Sequence, residues 1–228
     1  MFSTHKEALY IAIIGDIKNS KKIQDRKVIQ DKLRLVLNAI NQKFAPSIAA
    51  KFMITLGDEF QGLLGQGEHV VDIIEEIQME MYPVQIRFGI GIGEITTDIN
   101  AEMAIGADGP GYYMAREAIE TVKRNEQKSK IQAADIAIAT SSCIQYQCEL
   151  MNTVFSLMSV IKEHWTQRQR EIIWEFDKHN GSQAECADRL LIKQSSVQRS
   201  LVSGNYYAYR EAKDTLKKVL REIGKKDV

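Results

Sequence analysis

Apolar residues fall along this chain in two alternating periods. Ala8 to Ile14 is a continuous apolar run of strand length, the pattern of a strand buried on both faces. It ends at Gly15-Asp16-Ile17-Lys18-Asn19-Ser20, where Asn19 or Ser20 can cap a helix. Ile29, Leu33, Val36, Leu37, Ile40 and Phe44 then recur at spacings of three and four, predicting an amphipathic helix that stops before Pro46. Ile48 to Thr55 and Glu59 to Leu64 are strand-like runs around Gly57-Asp58, a hairpin signal. Val70, Ile73, Ile74, Ile77 and Met81 mark a second helix, ended by Pro83. Val84 to Ile95 predicts a strand of unusual composition. Phe88, Ile90 and Ile92 share one face, while Gly89, Gly91 and Gly93 strip the other, which suits close approach by a helix, a partner chain or a ligand. Thr96 to Gly111 is loop chemistry. Met114, Ala115, Ala118, Ile119 and Val122 predict a third helix, with Arg116 near its start. Asn125 to Lys130 is polar, Ala134 to Thr140 reads as a last strand, and a helix capped by Ser141 or Ser142 runs toward Val160.

This order predicts an α+β fold of ferredoxin-like layout: a mixed or antiparallel sheet with helices over one face. From Trp165 the pattern is all-helical. Thr166-Gln167-Arg168-Gln169 has the form of a capping box. Asn180-Gly181-Ser182 and Gly204-Asn205 are breaks, and Leu191-Ile192-Lys193 is a turn between two short helices. Two short helices about a tight turn, after a longer one, are the helix-turn-helix arrangement. The expected division is therefore a sheet domain over 1–160 and a helical module over 165–228.

Composition changes this picture little. The 228 residues are 44% hydrophobic and 26% charged, with zero formal net charge, the values of a globular protein able to bury a core. Charge is uneven: residues 160–228 hold 14 Lys and Arg against 10 Asp and Glu, about +4, leaving about −4 on the rest. A mildly basic last third is compatible with nucleic acid. Three cysteines without Cys-x-x-Cys spacing and four scattered histidines argue against a disulfide framework or a zinc site. The short run Ala8–Ile14 is not a secretory signal, and no apolar run approaches a membrane span, so a cytoplasmic, reducing setting is expected.

Candidate chemistry concentrates at two places. Asp16 and Asp58 end neighbouring strand runs, and strands lie about 5 Å apart. Two such carboxylates can share Mg²⁺ against nucleotide phosphates. The backbone over Ile17, Lys18, Asn19 and Ser20, with Gly57, would face those phosphates, and Arg116 would neutralise developing charge. The plainer alternative makes Asp16 a strand-end residue and Asp58 a solvated hairpin tip. In the helical part, Gln194, Ser195, Ser196, Gln198 and Arg199 are outward residues of types that read base edges and phosphates. A plain docking or dimerising bundle is the alternative. Tyr206, Tyr207 and Tyr209 are expected to pack under the terminal helix rather than stack on bases.

Ile14 to Ser20, Thr55 to Gln61, Arg87 to Glu94, and Gly106 to Pro110 with Ala115-Arg116 stand in the order typical of the SatD family, which the chain resembles over nearly its whole length. The same stations are similar to class III nucleotide cyclases, and the hairpin resembles the GGDEF motif of diguanylate cyclases, with Leu56 in place of the first Gly. The resemblance implies a palm-like, nucleotide-cyclase-like domain with metal at Asp16 and Asp58, a purine nucleotide, a catalytic Arg116 and a homodimer. It departs at Ile54, where cyclases commonly have a base-reading Lys, and at Tyr112, where they have an Asn. A nucleotide- and Mg²⁺-responsive DNA-binding regulator is thus the first expectation. A metal-dependent nucleotidyl cyclase and a catalytically inactive dimerisation scaffold are its alternatives.

Overall fold

A computed structural model describes residues 9–128, 134–179 and 182–223. The break at Asn180-Gly181 and the end of the polar 125–130 stretch lie outside the described residues. Five strands form one sheet: β1 (Tyr10–Ile17), β2 (Ile48–Leu56), β3 (Glu59–Leu64), β4 (Ile86–Gly93) and β5 (Ile136–Thr140), in the order β2-β3-β1-β4-β5. Only β4 and β5 pair parallel, so the sheet is mixed, and its first four strands have the ferredoxin-like order.

Strand β1 is central because its residues can be buried on both faces. Ile11, Ile13 and Ile17 point to one side; Ala12, Ile14 and Asp16 point to the other. On the first side lie α1 (Arg26–Lys43) and α2 (Val70–Met81), through the stripes legible in the sequence. Asn41 fastens α1 to β2, its amide bonding both backbone groups of Phe52 at 2.7 and 2.9 Å.

The expectation of helices on one face is wrong, and the glycine strand is the reason. Helix α3 (Pro110–Lys128) covers the second face and comes down on Gly89, Gly91 and Gly93. A Cβ at Gly91 would stand 2.0 Å from the Gly111 carbonyl oxygen, and one at Gly89 would stand 2.2 Å from that of Ala115. The bare face is therefore filled by the chain's own helix backbone. The loop before α3 closes the same side: Gln61 donates to the Ala104 carbonyl at 2.9 Å, and Lys51 N–H donates to that of Ala101 at 3.0 Å.

The strand at Asp16 also differs from expectation. Pairing continues through Gly15, Asp16 and Ile17 instead of ending before them. Asn19 then takes a left-handed conformation (φ 53°) and caps nothing; Ser20–Lys22 is one 3₁₀ turn, and α1 starts only at Arg26.

Helix α4 (Gln145–Glu163) covers the β5 edge, where the Asn152 amide bonds both backbone groups of Ile138 at 2.8 and 2.9 Å. This satisfies edge groups that would otherwise be open to pairing. Four helices follow: α5 (Gln167–Lys178), α6 (Gln183–Arg189), α7 (Gln194–Ser203) and α8 (Tyr206–Ile223). Capping boxes at Thr166 and Ser182 start α5 and α6. These helices share one buried cluster with the sheet: Val70 and Ile74 of α2, Phe155 of α4, Ile173 of α5 and Leu216 of α8 all belong to it. Tyr206 and Tyr209 are buried, as expected, whereas Tyr207 remains half-exposed.

Candidate functional site

The register sets Asp16 between two charged neighbours. It lies opposite Glu59 of β3 and Arg87 of β4. Directly opposed residues point to the same face, so all three side chains meet α3. That helix presents Arg116, Glu120, Lys123 and Glu126 along one side. An ionic chain from Glu120 to Asp135 results, with a separate Arg116–Glu59 pair beside it. Arg116 grips Glu59 with both terminal nitrogens, one at 2.7 Å. Lys123 holds Asp16 at 3.1 Å and Glu120 at 3.0 Å. Arg87 reaches Asp16 at 3.3 Å and Glu126 at 2.7 Å. Lys18 joins Glu126, at 2.8 Å, to Asp135.

Burial and pairing act in opposite directions in this network. Burial pushes the Asp16 carboxyl above its usual value, and Lys123 and Arg87 only partly offset it. Lys123 is the more exposed partner (side chain 31% against 13%); there burial pulls down, but Glu120 and Asp16 win and raise it. Burial likewise pushes Glu126 up, yet its bonds to Arg87 and Lys18 outweigh that and hold it below the ordinary range. For Arg116, the bond to Glu59 leads and raises the guanidinium further.

Asp58 makes no ion pair in this network, though its charge adds to the upward push on Asp16. Gly57, at φ 65°, makes the hairpin turn. The turn is tied to α1 by Gln30, which donates to the Gly57 carbonyl at 2.6 Å, and to β1 by Ile17 N–H on the Asp58 carbonyl at 3.4 Å. Asp58 borders a recess on the α1 side with Ile17, Ser20, Arg26 and Gln30. Its volume of about 10 Å³ approaches room for one water and is far too small for a nucleoside. Of the backbone donors expected to face phosphate, Ile17 N–H is spent on Asp58, and Lys18 N–H is spent on the Gln85 carbonyl at 2.8 Å.

The donor set does not fit a resident Mg²⁺. Oδ2 of Asp16 already carries an ammonium and a guanidinium. Glu59 is held by Arg116, and Asp58 borders the α1-side recess, reaching Asp16 only as a repelling charge that adds to its raised carboxyl. Among the described residues no three His, Cys, Asp or Glu side chains converge, whereas a hard divalent cation wants several oxygens. Ile54 and Tyr112 are packing residues: Ile54 lies against the main core, and Tyr112 is buried, with burial raising its phenol. Sequence reasoning missed Arg87, Lys123, Glu126 and Asp135. Only the i, i+4, i+7 spacing of Arg116, Glu120 and Lys123 could have announced part of the network.

The second candidate is α7. A turn over residues 190–193, with Leu191 in the left-handed region (φ 53°) and 92% exposed, joins it to α6. Cys186 and Ala187 of α6 and Val197 and Leu201 of α7 are buried between the helices. Gln194, Ser195, Gln198 and Arg199 are exposed; Ser196 is half-buried. Gln198 accepts a bond from Gln183, which also donates to the Tyr207 hydroxyl at 3.2 Å. Neither Lys193 nor Arg199 makes an ion pair among the described residues.

The chain is similar in structure to several nucleotide cyclase domains. The monomeric guanylyl cyclase domain of the RhoGC fusion protein from the aquatic fungus Blastocladiella emersonii shares 17% identity, over 50% of this chain and 76% of that one, at a TM-score of 0.38. A bacterial light-regulated adenylyl cyclase shares 12% identity, over 57% and 75%, at 0.42. The guanylate cyclase domain of RhGC from Catenaria anguillulae, solved in complex with GTP, shares 19%, over 62% and 82%, at 0.34. No curated protein matches the chain. Residues 10–220, nearly everything from the central strand to the terminal helix, match the SatD family, and the chain belongs to that family.

Proposed function

We propose that this SatD-family chain is a DNA-binding regulator, with α7 as its recognition helix and the sheet domain as a sensor rather than an enzyme. The observation that carries the reading is the exposed side of α7. Gln194, Ser195, Gln198 and Arg199, with Lys193 just before them, stand on the first turns of α7, the second helix of the α6–α7 pair that this reading takes as a helix-turn-helix, and both cations lack ion-pair partners among the described residues. Helix-turn-helix proteins contact base edges with this part of the second helix. Gln and Arg there can make bidentate bonds to adenine and guanine edges. A sensor role is preferred to turnover because Arg116, Asp16 and Lys18 are spent on one another's neighbours across the network. The exposed stripe Tyr146, Leu150 and Leu157 on α4 supports a homodimer, which would present two α7 helices together.

Fluorescence anisotropy with a random duplex pool, followed by selected duplexes, tests the reading. Arg199→Ala should weaken a selected site by about 1–3 kcal/mol if it reads a base, or lower the salt slope by about 1 if it contacts phosphate. A wild-type protein that ignores duplex DNA at low salt sinks the proposal, as does an Arg199→Ala protein with unchanged affinity and slope. Incubation with purine nucleoside triphosphates and Mg²⁺ tests the sensor half. A cyclic product lost in Asp16→Ala/Asp58→Ala would replace that half with the cyclase alternative.

A further inference from the structure

A cavity lies in the seam between the sheet and the C-terminal helices, touching the ionic network of the first candidate site only at Asp135. It measures about 450 Å³ and is walled by α2, α4, α5 and α8. That volume is in the range of small-molecule sites.

Its charges are mostly paired, with an informative remainder. Seven lysines and arginines line it. Five are held by carboxylates, Lys213 between Glu75 and Asp177 being the most buried. The other two, Lys162 and Arg170, have no carboxylate within ion-pair distance among the described residues. They are also neighbours: Arg170 donates to the Lys162 carbonyl at 2.7 Å. The Lys162 ammonium has one acceptor, Gln78 Oε1 at 2.6 Å, and Arg170 Nε is buried without a partner. Burial pulls the Lys162 ammonium below its usual value; Asp135 and Glu75 counter this, while Arg170 adds to it. Of the acidic residues on the wall, Glu163 alone makes no ion pair among the described residues, and it is exposed at the rim. Two neighbouring half-buried cations that touch no carboxylate, with only the longer-range pull of Asp135 and Glu75 to offset them, favour an anion placed between them.

Aromatic surface frames these cations. The Arg170 guanidinium lies 5.2 Å from the Tyr82 ring and 5.3 Å from that of Trp174. Tyr82 and Trp174 are both partly exposed on the cavity wall. We infer that the cavity binds a small organic anion carrying a flat ring, its carboxylate or phosphate between Lys162 and Arg170 and its ring against Trp174 and Tyr82. The occupant would bridge α2 and α4 to α5, the helix that leads into the α6–α7 pair. The site itself stands whether or not α7 binds DNA.

The chain's two tryptophans, Trp165 and Trp174, both line the cavity, so its own fluorescence reports occupancy. Benzoate, phenyl phosphate and inorganic phosphate are titrated into the full chain. A saturable change with benzoate or phenyl phosphate is expected, and which of the two binds more tightly identifies the anionic group. Inorganic phosphate should bind at least about tenfold more weakly, lacking the ring. Lys162→Met should weaken the ring-bearing anion by about tenfold or more, the worth of a charge-assisted bond. It should stay folded, since it removes an ammonium that makes no ion pair and that burial disfavours. Arg170→Lys keeps the charge but loses the fork and should weaken binding too. Lys43→Gln, whose ammonium is paired with Glu76, serves as the control and should bind like wild type. Flat titrations with all three probes overturn the inference. Unchanged affinity in both Lys162→Met and Arg170→Lys does the same, and equal affinity for inorganic phosphate removes the ring from it.

Discussion

Gly91→Ala is the sharpest test of how this sheet is built. Strand propensity alone gives the change a favourable sign, because glycine inside a strand costs roughly 0.5–1 kcal/mol relative to alanine. The packing gives the opposite sign. The new Cβ would lie 2.0 Å from the Gly111 oxygen and 2.2 Å from the Ala115 nitrogen, both main-chain atoms of α3, whereas ordinary contact begins near 3.4 Å. Helix α3 would have to retreat by about 1.4 Å, and no side-chain rotation can substitute for that movement. Overpacking of a core costs about 1–3 kcal/mol; a backbone-to-backbone clash belongs at the top of that range. In a chain of this size 1 kcal/mol moves the melting temperature by about 2–4 °C, so a drop of about 6–12 °C is expected. Calorimetry and urea unfolding measure it directly. Gly65→Ala is the matched control: its nearest neighbour would be the Ala49 side chain at 3.9 Å, and its stability should stay within about 0.5 kcal/mol of wild type. A Gly91→Ala protein as stable as wild type would refute the close docking of α3.

The ionic network makes two further predictions, and the domain boundary makes one. Glu126→Gln leaves Lys18 and Arg87 short of a partner and should cost about 1–3 kcal/mol at pH 7 in urea unfolding. Because the folded Glu126 carboxyl is held below its usual 4.5, its contribution is present above about pH 4.5 and lost as pH falls through the lower folded value. Stability of Glu126→Gln should therefore decline less than that of wild type over that acid range. Asp16 has the opposite sign: its carboxyl is raised, so its contribution is fully present below 3.8 and lost as pH rises through the folded value. Asp16→Asn should consequently cost less at pH 7 than Glu126→Gln, and a larger loss would show the network to be ordered differently. Finally, helices α5 and α8 share one buried cluster with the sheet. Tryptophan fluorescence, which reports only residues 165 and 174, should accordingly melt together with far-ultraviolet circular dichroism; two separate transitions would restore independent units at the 160–165 boundary.

The hydrophobic pattern alone determined most of the elements. Apolar periods of two and of three to four place the strands and helices, with the start of α1 the main miss, because each period fixes which side chains share a face. The box at Thr166 fixes one helix start from three-residue spacing, a local interaction that needs no tertiary context; a second box, at Ser182, emerged only in the structure. The glycines at 89, 91 and 93 declared a bare face. Whether helix, partner or ligand filled it was a question about long-range packing, and only the fold answered it with α3. Charge partners were equally illegible. Asp16 meets Arg87 and Lys123 across 71 and 107 positions of sequence, so its local stretch suggested a free carboxylate where register and helix docking supply two cations. The seam cavity left no motif at all. Lys162 and Arg170 are an ordinary lysine and arginine in sequence; Trp174 follows Arg170 by one turn of α5, but Gln78 and Tyr82 close around the pair from a distant part of the chain.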